Sequence, residues 1–524
     1  MEDTTRYAAA ASVNLGTRRR FMRNTSFSLF QQIVNIGIGI MLVPFLLWQL
    51  GTQGYGLWLT LQLFNIFGLM ALADLGFQGA LIRHLVKYRS SGDVAAFRRL
   101  LSTALALFTL IGLLGAGGII IFAQTIFTSM FEVPGSQQSV MRLALTVYAV
   151  HLAISFPLLV FKAVFSGTQD VATLKLCEAI ERVVFAALVV GVLLIEKSLL
   201  ALVICDLAAL AITAVIIVIS AKRRHPQWCS AHVSLVTFRG LDEVASMSGL
   251  VFVYNAANQL FVKGPDVLVG IILGPSALAY VTIATRIPRV LKTLQSAVNA
   301  AVLPHASLLD TQTGDLDAKG RFTLAGLRAS YLVMVPASLF LIVFAQEVLA
   351  FWVGDSYAWL GPFMVAAFIW QLLGTVSTFG GATLTSNAQI KKPAWALLVV
   401  NAGLLGLLAS SLDRLGLPGL FVALLVASAV GSAIMLSAVA YANGFGYRTF
   451  ARSVIYGPVM VSGLTGLALF STAHRLASPY GDVALLLAAG GAGCLYLAML
   501  YTVVLLPSEK HGIKRLFAKL WNRS

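Results

Sequence analysis

The chain has 524 residues, 58% of them hydrophobic and only 11% charged, against about 25% charged in soluble domains. A water-soluble fold cannot hide that much apolar surface. Runs of about 20 apolar residues, the length that crosses hydrocarbon as a helix, recur throughout, so the chain reads as an all-α polytopic membrane protein. The net charge of +16 lies in short loops between apolar segments, the distribution of cytoplasmic faces, which argues against a nucleic-acid partner. A β-barrel is excluded because barrel strands are short and alternate polar with apolar residues.

In chain order, residues 1–23 form a polar, basic N-terminal tail leading into a segment too long for the apolar core of a cleaved signal. About 14 membrane spans are expected, at 24–47, 55–79, 99–125, 139–162, 177–195, 199–220, 247–273, 279–303, 325–349, 360–385, 393–411, 417–440, 452–472 and 482–506. The stretch Met41–Arg83 organises the rest: the end of span one, a tight reversal over Leu50-Gly51-Thr52-Gln53-Gly54-Tyr55-Gly56, and span two running back to Asp74-Leu75-Gly76 and a basic segment. Arg and Lys gather at the N-terminal tail, in alternate loops and in the tail 507–524, while the opposite face holds Arg142, Lys197, Arg414 and Arg475. That asymmetry predicts both termini in the cytoplasm. The largest loop, 221–246, carries Lys222-Arg223-Arg224-His225 and reads as a basic cytoplasmic linker. The four cysteines, Cys177, Cys205, Cys229 and Cys494, are dispersed and form no metal spacing or disulfide framework.

Landmarks recur at an offset of roughly 220 residues. Pro44 pairs with Pro265, Leu50-Gly51 with Leu273-Gly274, Gly92-Asp93 with Gly314-Asp315, Phe131-x-Val133 with Phe351-x-Val353, and Ser166 through Gln169 with Ser386 through Gln389. The period covers six spans, an even number, so the copies have the same orientation: two parallel six-helix repeats related by an axis along the membrane normal. The expected layout is an N-terminal bundle at 24–220, a C-terminal bundle at 247–440 and two added helices within 441–506. In transporters built this way the halves rock against each other around the substrate.

A charge at mid-bilayer costs about 2.5–3.5 kcal/mol on insertion scales, so each one needs a partner or a wet cavity. Span eight carries Arg286, Arg289 and Lys292, which fall within an arc of about 120° on one helical face. No acid in that span offsets them, and Pro288 should bend it. The expected result is a cationic wall suited to a diphosphate or an acidic sugar; the plainer readings place these residues at a surface or against acids of neighbouring spans. In span seven, Lys263 and Asp266, at i and i+3, either pair locally or face a lumen. Pro265 in that span, and Pro44 with Gly37 and Gly39 in span one, predict bends at corresponding places that mark moving elements. In span five, Glu178 and Arg182 are expected to pair, leaving Glu181, or Asp206 of span six, as a possible proton carrier. Asp74 reads as a cap or a partner of Arg83, His151 as a packed core residue, and Asp93 and Asp315 as helix starts. No nucleophile–base pair, phosphate loop or metal spacing is present in the sequence, and it reads as a non-enzyme with no cofactor.

Pro44, Leu50-Gly51, Gly54-Tyr55-Gly56-Leu57-Trp58 and Asp74-Leu75-Gly76, followed by Asp266, Leu273-Gly274, Tyr280, Ala284-x-Arg286, Leu303-Pro304 and Gly314-Asp315, resemble the polysaccharide transporter family. These are the Wzx-like O-antigen and exopolysaccharide flippases of the multidrug, oligosaccharidyl-lipid and polysaccharide exporter superfamily, and the resemblance covers essentially the whole chain. It implies an undecaprenyl-diphosphate-linked oligosaccharide substrate, alternating access across the bacterial inner membrane, and ion antiport as in at least some members. Membrane lipids and the polymerase or export components of the pathway are the partners it implies. On the family's motifs Arg286 matches the basic position after the Tyr-x-x-x-Ala element and Asp74 the Asp-Leu-Gly motif; Arg289, Lys292 and Lys263 rest on helix geometry alone. Three alternatives stand beside it. A multidrug cation antiporter would want acids and aromatics in its cavity, and the basic stripe speaks against it. A peptidoglycan-precursor lipid flippase shares fold and charge sign. A membrane polymerase or ligase would be expected to carry a large external loop, which the sequence lacks.

Overall fold

The computed structural model describes residues 2–67, 78–122, 130–131, 133, 135–230, 233–237, 262–312, 316–386, 391–477, 481–505, 507 and 510. Every regular element among them is helical. In order these are α1 (Glu2–Phe67), α2 (Gln78–Ser91), α3 (Val94–Phe122), α4 (Gln138–Gly167), α5 (Val171–Leu193), α6 (Leu199–Arg224), α7 (262–272) and α8 (Gly274–Gln312). They are followed by α9 (Leu316–Val343), a short α10 (Ala345–Val353), α11 (Gly361–Ser386), α12 (Lys391–Ala442), α13 (Tyr447–Phe450), α14 (Ser462–Ala477) and α15 (Asp482–Met499). The stretches Ala451–Val461 and Leu500–Val504 are π-helical.

Nine helical stretches among the described residues are long and apolar enough to cross a membrane. Two of them, Met22–Leu63 and Lys392–Ala442, are interrupted at Gly51 (φ 67°) and Gly416 (φ 56°), so each answers to two expected spans. The set therefore covers spans one to four, six, and nine to fourteen. Outside it fall α5, with Lys175, Glu178, Glu181 and Arg182, and α8, with its three cations. Of span seven, α7 is described.

The Leu50–Gly56 reversal narrows to one residue. Residues 52–56 are already helical, and Gly51 alone leaves helical geometry. Gly274 (φ 83°), the first residue of α8, is a third break of the same kind, and all three glycines follow a leucine. A residue with a Cβ is disfavoured at positive φ, so glycine lets the chain leave one helix and enter the next in a single step. Helical structure also runs through Pro44, Pro265 and Pro288, as a membrane helix tolerates a proline where neighbouring groups satisfy the freed carbonyl.

Helices also extend past the apolar stretches. The basic N-terminal segment is helical from Glu2, and α2 occupies part of the expected loop after span two. Hydropathy marks the hydrocarbon-crossing part of a helix, not the end of its backbone hydrogen bonds. In α2, Leu81 and Leu85 at i and i+4 are buried while Arg83 and Lys87 are exposed. Gly167 of α4 lies so close that a Cβ there would sit 2.7 Å from Leu85 Cβ. The start of α3 follows expectation, with the Ala96 amide donating to Asp93 Oδ1 at 2.8 Å. Asp315 lies outside the described residues.

The chain divides into two compact units, Met1–Tyr280 and Val281–Ser524. In the first, α4 packs on α3 and α6, and α5 on α1 and α6. Phe97, Phe108, Tyr148, Phe156 and Phe165 are fully buried there. In the second, α11 and α12 are joined by small polar residues, with Ser428 Oγ donating to Trp370 O at 3.3 Å and Ser432 Oγ to Leu373 O at 2.5 Å. Arg328 of α9 ties the C-terminal helices to this unit. Its Nη1 donates to Ser453 O at 2.8 Å and its Nη2 to Val504 O at 2.6 Å, both carbonyls in π-helical stretches. Large apolar side chains such as Met41, Trp48, Ile121, Ile195 and Phe351 are exposed, as expected of surfaces solvated by lipid.

Candidate functional site

Two groups of ionisable side chains lie on the long helices, one in each unit. In the second unit, α8 presents a buried row of Ala284, Pro288, Leu291 and Gln295, spaced at helical repeats. Gln295 Nε2 donates to Thr375 O of α11 at 3.2 Å, which fixes the rotation of α8 against that unit. Arg289 and Lys292 each follow a member of the row by one residue, about 100° around the helix, while Arg286, two residues from both Ala284 and Pro288, lies on the side away from it; all three are half-buried. Because α8 begins at Gly274 and not at 279, Arg286 lies about 18 Å and Lys292 about 27 Å along the axis, deeper than the expected span places them. All three make polar or electrostatic contacts, as do Lys263, half-buried, and Asp266, buried, on α7 of the first unit.

In the first unit a mixed polar seam runs through α4, α5 and α6. Lys162 Nζ lies 3.6 Å from Glu178 Oε1 and 4.0 Å from Glu181 Oε2. Lys175 Nζ reaches Glu178 Oε2 at 2.8 Å. The expected Glu178–Arg182 pair is thus corrected: two lysines take Glu178, and the Arg182 charge acts instead on Asp206. Lys162 comes from a neighbouring helix, which spacing within α5 cannot reveal. His151 is packed as expected, stacked on Tyr148 with ring centroids 5.2 Å apart. Its Nε2 also faces Asp206 Oδ2 at 3.4 Å, a cross-helix approach between α4 and α6. Ser155 Oγ lies 3.4 Å from His151 Nδ1. Asp74 lies outside the described residues.

A third cluster, which no local spacing announces, joins Arg23 of α1, the turn between α4 and α5, and the basic C-terminal end of α6. Arg23 Nη2 is 2.9 Å from Asp170 Oδ1, and Arg224 Nη1 and His225 Nε2 are each 3.7 Å from Oδ2. Thr173 donates to Oδ2 at 2.9 Å, and Asn24 brackets the turn by bonding Gln169 O and the Ala172 amide. Burial pushes the Asp170 carboxyl upward, but the His225 and Thr173 side chains and the Arg224 and Arg23 charges outweigh it and hold it below the usual carboxylate range. The linker beyond is pinned to α3: Trp228 packs on Phe97 with centroids 4.7 Å apart, and Arg98 Nε donates to Gln227 O at 2.8 Å. The signal for this cluster was a lone acid between basic helix ends, spread over about 200 residues of sequence.

Among the described residues no group of three or more His, Cys, Asp or Glu side chains is arranged to hold a metal. What the three clusters can do differs. The Asp170 cluster clamps helix ends, the seam of the first unit can hold or pass a proton, and the α8 stripe can neutralise an anion.

The family model of "Polysaccharide biosynthesis protein" matches residues 50–361 of the chain. No curated protein matches it in sequence. Among solved structures it is similar to lipid II flippase MurJ in an inward closed conformation, at 13% identity and a TM-score of 0.71, covering 91% of this chain and 98% of the other. It is also similar to a multidrug resistance MATE family transporter of the MOP superfamily in an inward-facing conformation, at 12% identity, a TM-score of 0.66, and 82% and 99% coverage. A third likeness is to a MOP superfamily transporter from Pyrococcus furiosus Vc1 whose binding pocket is described as of reverse polarity, at 12% identity, a TM-score of 0.59, and 81% and 95% coverage. At these identities the likeness is one of fold: a polytopic helical transporter fold.

Proposed function

The chain belongs to the polysaccharide biosynthesis protein family, and from that premise we propose that it is a flippase moving undecaprenyl-diphosphate-linked oligosaccharide repeat units across the bacterial cytoplasmic membrane. The coarser statement, a multi-pass membrane transporter, rests on the family and the fold. The substrate rests on one observation, the row Arg286, Arg289 and Lys292 on α8.

Three like charges on two turns of a membrane helix repel one another and lose hydration. Their cost is of the order of 2.5–3.5 kcal/mol each on insertion scales. A diphosphate headgroup offsets that cost with two or more negative charges and with oxygens that accept from guanidinium forks. An organic cation would add to it. The headgroup is thus held by the stripe while the prenyl tail stays in lipid; Lys263 is a further candidate for binding substrate, and Asp266 a coupling or gating position. In this reading the segments 24–220 and 247–440 are the moving bodies of an alternating-access cycle and both termini are cytoplasmic. Pro44, Pro265, Pro288 and Asp74 are gating positions, and Glu181 and Asp206 are coupling positions. Polymerase and export components would receive the product.

A deletion strain tests this. The expected result is lipid-linked repeat units stranded in the inner leaflet and loss of surface polysaccharide, restored by the wild-type gene. Normal surface polysaccharide in a deletion strain lacking any second flippase of this family would refute the substrate.

A further inference from the structure

The polar seam of the first unit carries a more specific inference. Its permanent charges balance: Lys162, Lys175 and Arg182 stand against Glu178, Glu181 and Asp206. His151 is the odd member, with Nε2 3.4 Å from Asp206 Oδ2, its ring stacked on Tyr148 and its Nδ1 side bounded by Ser155. The charges acting on the couple come from α4 and α5: Lys162 and Glu181 on His151, and Arg182 on Asp206. The remaining packed elements add little. Between Asn24 and Leu63, α1 offers Tyr55 alone, between Leu100 and Phe122 α3 offers nothing that titrates, and α6 adds only Cys205 in its membrane part.

We propose that His151 and Asp206 form a proton-binding couple within the membrane part of the first unit, and that its occupancy regulates the transport cycle. The second clause rests on the flippase reading; the first does not. A proton taken from water binds Asp206 Oδ2 and is shared with His151 Nε2, turning the carboxylate into a carboxylic acid that faces a neutral imidazole. The same proton returns to water when the couple empties, so no other reactant is consumed. Binding changes the seam from balanced to one net positive charge. In a medium of low dielectric that single charge is enough to favour one arrangement of α4 and α6 over another. A neutral imidazole suits the partner's part because one of its ring nitrogens accepts a hydrogen bond.

The full chain, purified and reconstituted in phosphatidylcholine vesicles without any sugar lipid, is titrated by infrared difference spectroscopy. The expected result is a carboxylic-acid band that disappears in Asp206→Asn and whose midpoint moves by about one pH unit or more in His151→Gln, tenfold in proton affinity. An unmoved midpoint in His151→Gln with an unaltered amide band would overturn the couple. So would loss of the band in Glu181→Gln and its retention in Asp206→Asn. In a second arm a fluorescent diphosphate-linked oligosaccharide lipid is added and a pH gradient imposed. The gradient is expected to change wild-type flipping by about tenfold and to leave the His151→Gln profile nearly flat, as expected for one proton equilibrium. A gradient response in His151→Gln equal to wild type overturns the regulatory clause. A wild type that flips no lipid at any pH overturns that clause together with the substrate reading, while the infrared result still decides the couple.

Discussion

The two charged regions of the long helices differ in the signs they bring together. In the first unit, acids and bases of α4, α5 and α6 are interleaved, with partners at 4.0 Å or less. In the second, α8 repeats one sign three times within one arc of the helix. A balanced seam answers its own desolvation cost and so says little by itself about a ligand. A same-sign row is a stronger pointer, because stability alone gives no reason to stack like charges on adjacent turns. The substrate assignment therefore leans on α8, and the seam is assigned to proton binding and packing.

The sharpest way to break this contrast is substitution on each side of it. Arg286→Ala is expected to lower flipping of the diphosphate-linked lipid by about tenfold or more, the loss of one charge-assisted contact, with the melting temperature in detergent nearly unchanged. Lys162→Met is expected to do the reverse. It strips Glu178 and Glu181 of a shared partner and costs about 2 kcal/mol, below the range for fully buried pairs because these side chains retain some exposure. Adding Glu181→Gln should recover part of that loss in the same melt. If Arg286→Ala instead collapses the fold, the stripe is structural and the contrast fails.

Smaller effects sharpen the comparison between the units. Gly51→Ala and Gly274→Ala each place a Cβ at positive φ and should each cost about 1 kcal/mol, read as similar losses in thermal unfolding. A markedly larger loss at one would show that the two Leu-Gly breaks are not equivalent. The smallest effect is at Asp170, whose carboxyl is held below its ordinary value of 3.8. A depressed acid contributes stability above its unfolded value and loses it as pH falls through the folded value. The stability gap between wild type and Asp170→Asn should be constant above about pH 4 and shrink below it; a gap that shrinks near neutrality would mean His225 carries the cluster.

How much of this was legible in the sequence follows from what each feature depends on. Apolar run length marks the spans directly; the breaks at Gly51 and Gly274 fall on the Leu-Gly pairs matched between the repeats, and the one at Gly416 falls between expected spans eleven and twelve. The cationic row on α8 was legible because helical periodicity fixes which residues of one helix share a face. Features made across helices were hidden. Lys162 reaches Glu178, His151 meets Asp206, and Asp170 draws in Arg23, Arg224 and His225, and no local spacing specifies which helices become neighbours.

Reconstituted flipping of a fluorescent undecaprenyl-diphosphate oligosaccharide, measured for wild type and for Arg289→Ala and Arg289→Glu, tests the central assignment most directly. Rates falling in that order, by about tenfold at the first step and further at the second, are the predicted result. Equal rates for all three variants in vesicles holding equal amounts of folded protein would contradict it.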